Sequence, residues 1–214
     1  MNNRFQDDVA KTMLSVIDRH GFVLSGGKAL VEHGISHRPT LDIDLFTSQL
    51  DPAYFEQSIN DAQAALTDAG YCVSVVLKTT TFARLRVSSN NDVVDVELGY
   101  DYREYEPTIS NIGPILNKKD AILNKVSALY ARALPRDYID VYNARRAKIL
   151  SDNELISLSK ERDSGFVPYL FADSLRHIQS IPFEEFSSYG ITRKDFDEIV
   201  KDTLMWADNI QHSC

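Results

Sequence analysis

Residues 22–46, FVLSGGKALVEHGISHRPTLDIDLF, decide how the amino-terminal half of the chain folds. A short apolar run stops at Ser25-Gly26-Gly27, and Lys28 to His33 has the character of a helix start. After a polar loop, Leu41 to Phe46 alternates apolar and acidic residues, which is the periodicity of a strand with one buried face. We therefore predict a strand, a tight glycine turn, a helix and a second strand, whose inward residues are Leu41, Ile43 and Leu45.

The pattern on either side of this stretch changes from mixed α and β to all α. Helical spacing covers residues 4–20 and 52–69, and three β-rich runs follow at 71–77, 82–87 and 93–98. From residue 118 the periodicity is helical, over 118–132, 136–149, 152–162, 166–178 and 192–209. We predict an α+β fold: a core over residues 1–117 with a small mixed sheet flanked by helices, and a helical region over 118–214 that packs on it and completes the site.

The composition is that of a soluble globular protein. Of the 214 residues, 43% are hydrophobic and 25% are charged, and the net charge of −8 argues against a protein that coats duplex nucleic acid. No run approaches the length of a membrane span, and residues 1–10 lack the apolar core of a secretory signal. Cys72 and Cys214 match no metal or redox spacing. We expect a protein of the reducing cytoplasm, with no membrane partner.

Asp42 and Asp44 are the first candidates for chemistry. Two residues apart on a strand, they project from one face, about 6.6–7 Å apart at the backbone, and can converge on one hard cation. Water-facing strands also carry acids, but aspartate is depleted in strands and like charges on one face repel. A bound metal ion would compensate that repulsion, so we interpret the pair as a metal site.

A third carboxylate is expected from the run Val93 to Leu98. Asp95 and Glu97 share one face of that strand, and either could join the earlier pair if the strands are neighbours. Such an acid matters because phosphoryl and nucleotidyl transfer often use two metal ions. The spacing leaves both residues open, and Asp95 is our candidate for the metal and for orienting or deprotonating an acceptor.

The glycine turn is the candidate phosphate site. Glycine lets the backbone approach a phosphate closely, and a helix amino terminus supplies N–H donors. A Gly-Gly turn is weak evidence alone and lacks the spacing of a Walker loop. The position of this turn some fifteen residues before an acidic strand makes it a far more specific signal for a phosphate site.

Further along, Lys125 and Arg132 share a helix face, and Asp137 falls in the first turn of the next helix with Asp140 after it. Spacing alone favours a surface lysine for Lys125 and an acid that complements the helix dipole for Asp137.

Four segments together resemble a known family: LSGGKAL at 24–30, HRPTLDIDLF at 37–46, KVSALYAR at 125–132 and RDYIDVY at 136–142. They look like the AbiEii/AbiGii-type nucleotidyltransferases of the polymerase-beta-like superfamily. The resemblance implies the nucleotidyltransferase fold, a triphosphate received by the Gly-Gly turn, and Mg²⁺ (or Mn²⁺) on the two-aspartate strand. It also implies that Lys125 and Asp137 complete the site. Several members of that family are toxins of toxin–antitoxin systems that modify tRNA.

From the residues and the resemblance together we expect a metal-dependent transferase that moves a nucleoside monophosphate from a nucleoside triphosphate to RNA. We take tRNA as the first acceptor and a protein side chain as the second, with an antitoxin protein as a partner. The predicted nucleotide-binding residues are Ser25, Gly26, Gly27, Lys28 and Arg38. Lys28 departs from the small or hydroxyl residue usual in the family. Two other hypotheses remain: a binding module that has kept the fold without activity, and a metal-dependent phosphohydrolase.

Overall fold

The computed structural model describes residues 3–213, in which strands and helices are both present as far as residue 115 and helices alone follow. The strands are β1 Val23–Leu24, β2 Asp42–Thr47, β3 Cys72–Lys78, β4 Phe82–Ser89, β5 Asp92–Tyr100, β6 Thr108–Ile109 and β7 Pro114–Ile115. The helices are α1 Asn3–Ile17, α2 Gly26–Glu32, α3 Pro52–Asp68, α4 Lys118–Arg132, α5 Pro135–Arg146, α6 Asp152–Arg162, α7 Pro168–Arg176, α8 Phe183–Ser187 and α9 Arg193–Ser213. Short 3₁₀ turns at Asp18–His20 and His177–Ser180 extend α1 and α7.

The strands form one mixed sheet in the order β3-β4-β5-β2-β1-β7-β6. The predicted meander is present, since β3, β4 and β5 are successive antiparallel neighbours. β2 pairs with β5 in parallel and with β1 antiparallel, so the acidic strand lies inside the sheet. The α+β prediction is confirmed. β6 and β7 were not predicted, because two-residue strands carry no periodicity to read.

The chain divides into two compact units. The first comprises the described residues through Glu32 together with Thr40–Asp120, and so contains the whole sheet. The second comprises His33–Pro39 and the described residues from Ala121 onward.

The core of the first unit lies on one face of the sheet. Ile43 and Leu45 of β2 are fully buried there, and so are Val96 and Leu98 of β5. Helices α1 and α3 contact each other and supply the apolar side chains of this layer, among them Met13 and Ile59. The prediction for Leu41 was wrong: its side chain is 57% exposed. The strand begins only at Asp42, so Leu41 lies before the paired part of the sheet.

The core of the second unit is aromatic. Phe171 packs edge-on against Trp206, with ring centroids 5.2 Å apart, and Phe166 and Tyr130 extend the cluster. Pro135 and Pro168 begin α5 and α7, at the position where the missing N–H is not needed. The helical predictions hold, although α5 ends at Arg146 and the short α8 was not predicted.

No helix within residues 3–213 is both long and apolar enough to cross a membrane. Cys72 is a free, exposed thiol, and Cys214, which also entered the cysteine spacing, lies outside the described residues.

Candidate active site

The face of the sheet opposite the core carries three aligned rows of side chains from β2, β5 and β4. Strand pairing places Asp42 beside Asp95 and Asp95 beside Arg86. The next row is Asp44, Glu97 and Arg84, and the last is Phe46, Gly99 and Phe82. We call the first two rows the polar face. Each of its carboxylates is half-buried, while the residues between them along the strands are buried, as the alternation predicted.

The glycine turn lies directly against the acidic strand. The Ser25 backbone N–H donates to the Asp44 carbonyl oxygen at 2.8 Å. Gly26 has φ +62°, and a Cβ atom built on it would lie 1.7 Å from Asp44 Oδ2. Only glycine permits both this backbone conformation and this close approach. The glycine turn and the acidic strand are therefore in contact. The Asp44 carboxylate occupies the space that a side chain at position 26 would fill.

Gly26→Ala tests this contact. We expect a loss of stability greater than the roughly 1–2 kcal/mol of a left-handed alanine, because the Asp44 carboxylate must also move. The predicted nucleotidyl transfer should fall as well. Gly70→Ala is the matched control, since Gly70 has φ +86° with nothing within 4 Å of its Cβ position. Urea unfolding and turnover of both variants make the comparison. Equal losses of stability and activity in the two would mean that Gly26 serves only the backbone conformation.

Two of the predicted nucleotide-binding side chains contact other groups of the protein. The Lys28 side chain is 5% exposed, and its Nζ lies 2.5 Å from Asp7 Oδ1 on α1. The buried Ser25 hydroxyl donates to the Val23 carbonyl oxygen at 3.4 Å. Among Ser25, Gly26 and Gly27, only Gly26 is partly exposed, and its backbone lies beside Asp44.

The two candidates for the third carboxylate differ in how arginine holds them. Arg86 donates to both oxygens of Asp95, Nε to Oδ1 at 2.8 Å and Nη2 to Oδ2 at 2.9 Å. Arg84 directs both of its hydrogen bonds, at 3.1 and 2.6 Å, to Oε1 of Glu97. Hydrogen bonds from Arg86 lower the pKa of Asp95 below its ordinary value, so this carboxylate is a weak proton acceptor.

The arginines of β4 were not among the predicted site residues, yet a signal for them exists. The turn between β4 and β5 is only two residues long, with Asn90 at φ +52°, so Ser89 pairs with Asp92. A two-residue hairpin fixes the register of everything beyond it. Had that turn been recognised in the sequence, Arg86 would have been placed opposite Asp95 and Arg84 opposite Glu97.

The chemistry of the polar face suits a hard divalent ion at one position. Asp42 and Asp44 offer carboxylate oxygens on one strand face, which are the ligands that Mg²⁺ and Mn²⁺ take. Within residues 3–213, however, no group of three or more His, Cys, Asp or Glu side chains is arranged to hold a metal ion. Asp95, expected as the third ligand, has both oxygens in its pair with Arg86.

The second unit contains a buried network centred on Asp140. This fully buried carboxylate accepts hydrogen bonds from Arg38 Nε at 2.8 Å and Nη2 at 2.6 Å, and from the Ser36 hydroxyl at 3.2 Å. Lys125 Nζ lies 3.1 Å from Asp140 Oδ2. Burial acts to lower the pKa of Arg38, but the hydrogen bonds and charge of Asp140 outweigh it and raise that pKa. Arg38 and Lys125, both predicted phosphate contacts, thus share one buried counter-ion.

Asp137 lies in the first turn of α5, where it is fully buried. Arg132 Nε and Nη2 each donate to it at 2.9 Å, and the Leu134 backbone N–H donates at 3.3 Å. These contacts are those of an acid that stabilises the start of a helix. The local pattern had favoured this role, whereas the resemblance placed Asp137 in the site.

Most of the chain matches one protein-family model. The family model described as "Nucleotidyl transferase AbiEii toxin, Type IV TA system" matches residues 11–209. No curated protein matches the chain.

Two crystal structures of Helicobacter pylori proteins share its fold. JHP933 aligns at a TM-score of 0.60 and 17% identity, covering 99% of this chain and 90% of that one. A protein proposed to be a nucleotidyltransferase aligns at a TM-score of 0.57 and 17% identity, covering 99% and 93%.

Proposed function

This chain belongs to the AbiEii nucleotidyl transferase toxin family and is a nucleotidyltransferase, and we propose that it transfers a nucleoside monophosphate to RNA, with tRNA as the first acceptor, in a metal-dependent reaction. The observation that carries the proposal is the contact of the Gly26 backbone with Asp44 on the polar face. A phosphate-binding turn and a metal-binding acid must be neighbours if one substrate is to engage both. An antitoxin encoded with the toxin is the proposed partner.

Asp42 and Asp44 would hold the divalent ion, Mg²⁺ or Mn²⁺. Bound there, the ion would neutralise charge on the triphosphate. The Gly26-Gly27 backbone has no side chain to keep a phosphate away, and its N–H groups are the donors that we assign to the phosphates. Charge placement of this kind, rather than covalent participation by the protein, is how phosphoryl-transfer sites act.

In the proposed reaction an acceptor hydroxyl oxygen forms a bond to the α-phosphorus. The bond from that phosphorus to the bridging oxygen breaks, and pyrophosphate leaves with the electron pair. The hydroxyl proton must pass to a base. Glu97 fits this role better than Asp95, because neither hydrogen bond from Arg84 uses Glu97 Oε2, whereas Arg86 takes both oxygens of Asp95. We therefore assign acceptor orientation and proton removal to Glu97.

The resemblance to the AbiEii/AbiGii-type nucleotidyltransferases, several of which modify tRNA, supports RNA as the acceptor. The net charge of −8 argues only against wrapping of duplex nucleic acid and leaves a local RNA contact open.

The assay that tests the proposal follows each phosphate of the substrate. Purified protein is incubated with Mg²⁺ or Mn²⁺, total RNA and each nucleoside triphosphate in turn, labelled at the α- or the γ-phosphate. We expect the α label in RNA and the γ label in pyrophosphate. Label in neither would favour a binding module, and release of inorganic phosphate would favour a phosphohydrolase. Label in protein would identify a side chain as the acceptor.

Lys125 is the residue that the resemblance assigns to the triphosphate. Lys125→Ala should lower nucleotide affinity or turnover by about tenfold or more, as expected for the loss of a charge-assisted contact of about 1.5–3 kcal/mol. Arg132→Ala is the companion, since its partner is Asp137 at the start of α5. That variant should melt at a lower temperature and keep its activity per folded molecule. Unchanged kinetics in Lys125→Ala would make this lysine only a counter-ion of Asp140.

A further inference from the structure

The pair of Arg86 and Asp95 occupies a defined position on the polar face. Asp95 lies between Asp42 on β2 and Arg86 on β4, as direct register neighbours. The guanidinium donates through two nitrogens to two oxygens, which is the strongest arrangement available to an arginine and a carboxylate. In a site with two divalent ions, an acid at this position would be expected to coordinate metal.

We infer that Arg86 takes the place of a second divalent cation, so that the site binds one divalent ion, on Asp42 and Asp44, and Asp95 is not a metal ligand. This inference rests on the proposed function, because it concerns the metal of the same site. It makes Arg86 a positioning residue that holds Asp95 away from the ion.

The ion pair on the polar face opposes a second ion at Asp95. Arg86 holds both oxygens of the Asp95 carboxylate and already supplies its counter-charge. A second ion would have to separate Asp95 from Arg86 and leave the guanidinium beside a cation, which is electrostatically unfavourable.

The difference between the two arginines supports the assignment to Arg86. Arg84 engages a single oxygen of Glu97, whereas Arg86 saturates Asp95. The pKa of Asp95 is lowered by these hydrogen bonds and that of Arg86 is raised, as expected when each stabilises the charged form of the other.

The test is a calorimetric titration of the full chain with Mn²⁺ in the absence of nucleotide, which gives the number of bound ions. The Asp42→Asn variant, titrated in the same way, gives the background of binding outside the site. We expect one ion for the wild type. Arg86→Gln/Asp95→Asn removes the pair without changing the net charge, and its Mn²⁺ affinity should stay within about threefold of the wild type. Arg86→Gln alone exposes the Asp95 carboxylate and should bind a second ion.

Lys78→Gln/Glu56→Gln is the matched control, because it removes another ion pair of the first unit, between Lys78 of β3 and Glu56 of α3, with Nζ 2.5 Å from Oε1. It should leave both the number of ions and their affinity unchanged, and thermal melts should show all variants folded. Any one of three results would overturn the inference. These are two ions in the wild type, a tenfold loss of affinity in the double variant at Arg86 and Asp95, and a single ion in Arg86→Gln.

The failure of this inference is distinguishable from failure of the proposed function. A wild type that labels RNA and binds two ions would refute only the single-ion site. A wild type that binds one ion and labels nothing would refute only the proposed transfer reaction.

Discussion

Asp42→Asn should abolish nucleotidyl transfer while leaving the metal-free protein no less stable than the wild type. The activity is lost because the ion that neutralises the triphosphate loses a ligand. Stability is retained because two acids of β2 share one face and repel each other, so neutralising one relieves that repulsion. Mg²⁺ should raise the melting temperature of the wild type alone, and more so with triphosphate, since only the wild type gains binding free energy.

Asp68→Asn is the control for this experiment. Asp68 is an exposed acid at the end of α3, so its neutralisation changes the net charge equally without touching the polar face. It should keep full activity and the metal-dependent rise in melting temperature. An Asp42→Asn protein that unfolds more easily without metal and still transfers nucleotides would make the acidic pair structural and place the active site elsewhere.

Asp140→Asn should produce the largest loss of stability, about 3–5 kcal/mol, as for breaking a buried ion pair from one side. The variant leaves Arg38 and Lys125, exposed by only 9% and 8%, without the carboxylate that compensates their charges. Urea unfolding followed by circular dichroism measures the loss.

Asp152→Asn provides the comparison, because Asp152 also binds an arginine through two hydrogen bonds, from Arg145 at 2.7 and 2.8 Å, but its side chain is 40% exposed. An ion pair with such access to water is worth about 1 kcal/mol or less. If Asp140→Asn cost no more than Asp152→Asn, the network would contribute little to folding.

Local patterns predicted much of the first unit correctly. The alternation over residues 41–46 placed Asp42 and Asp44 together on one face and Ile43 and Leu45 in the core, because side-chain direction along a strand depends only on its two-residue period. Leu41 is the exception. The alternation of apolar and acidic residues continues across the boundary of the strand, so the alternation does not show that pairing begins only at Asp42.

The site was predicted less completely than the fold, because the role of a side chain depends on which group it contacts. Lys28 is a predicted phosphate contact, and its side chain lies against Asp7 of α1, twenty-one positions earlier in the chain. Asp137 looked like a helix-capping acid from its spacing and has the contacts of one. Local signals identified such local contacts correctly, and they could not identify a contact between distant segments.

By itself, the sequence determined the acidic pair, the glycine turn, the meander and the helical second half, since each follows from the period and the turn chemistry of a short segment. Only the tertiary structure decided which side chains meet. Asp95 and Glu97 face the same side of β5, so the two-residue period of the strand does not distinguish their roles. The register between β4 and β5 distinguishes them, because it places Arg86 on both oxygens of Asp95 and Arg84 on a single oxygen of Glu97. Register is a relation between strands, and the free energy that fixes it comes from the pairing and packing of the whole sheet.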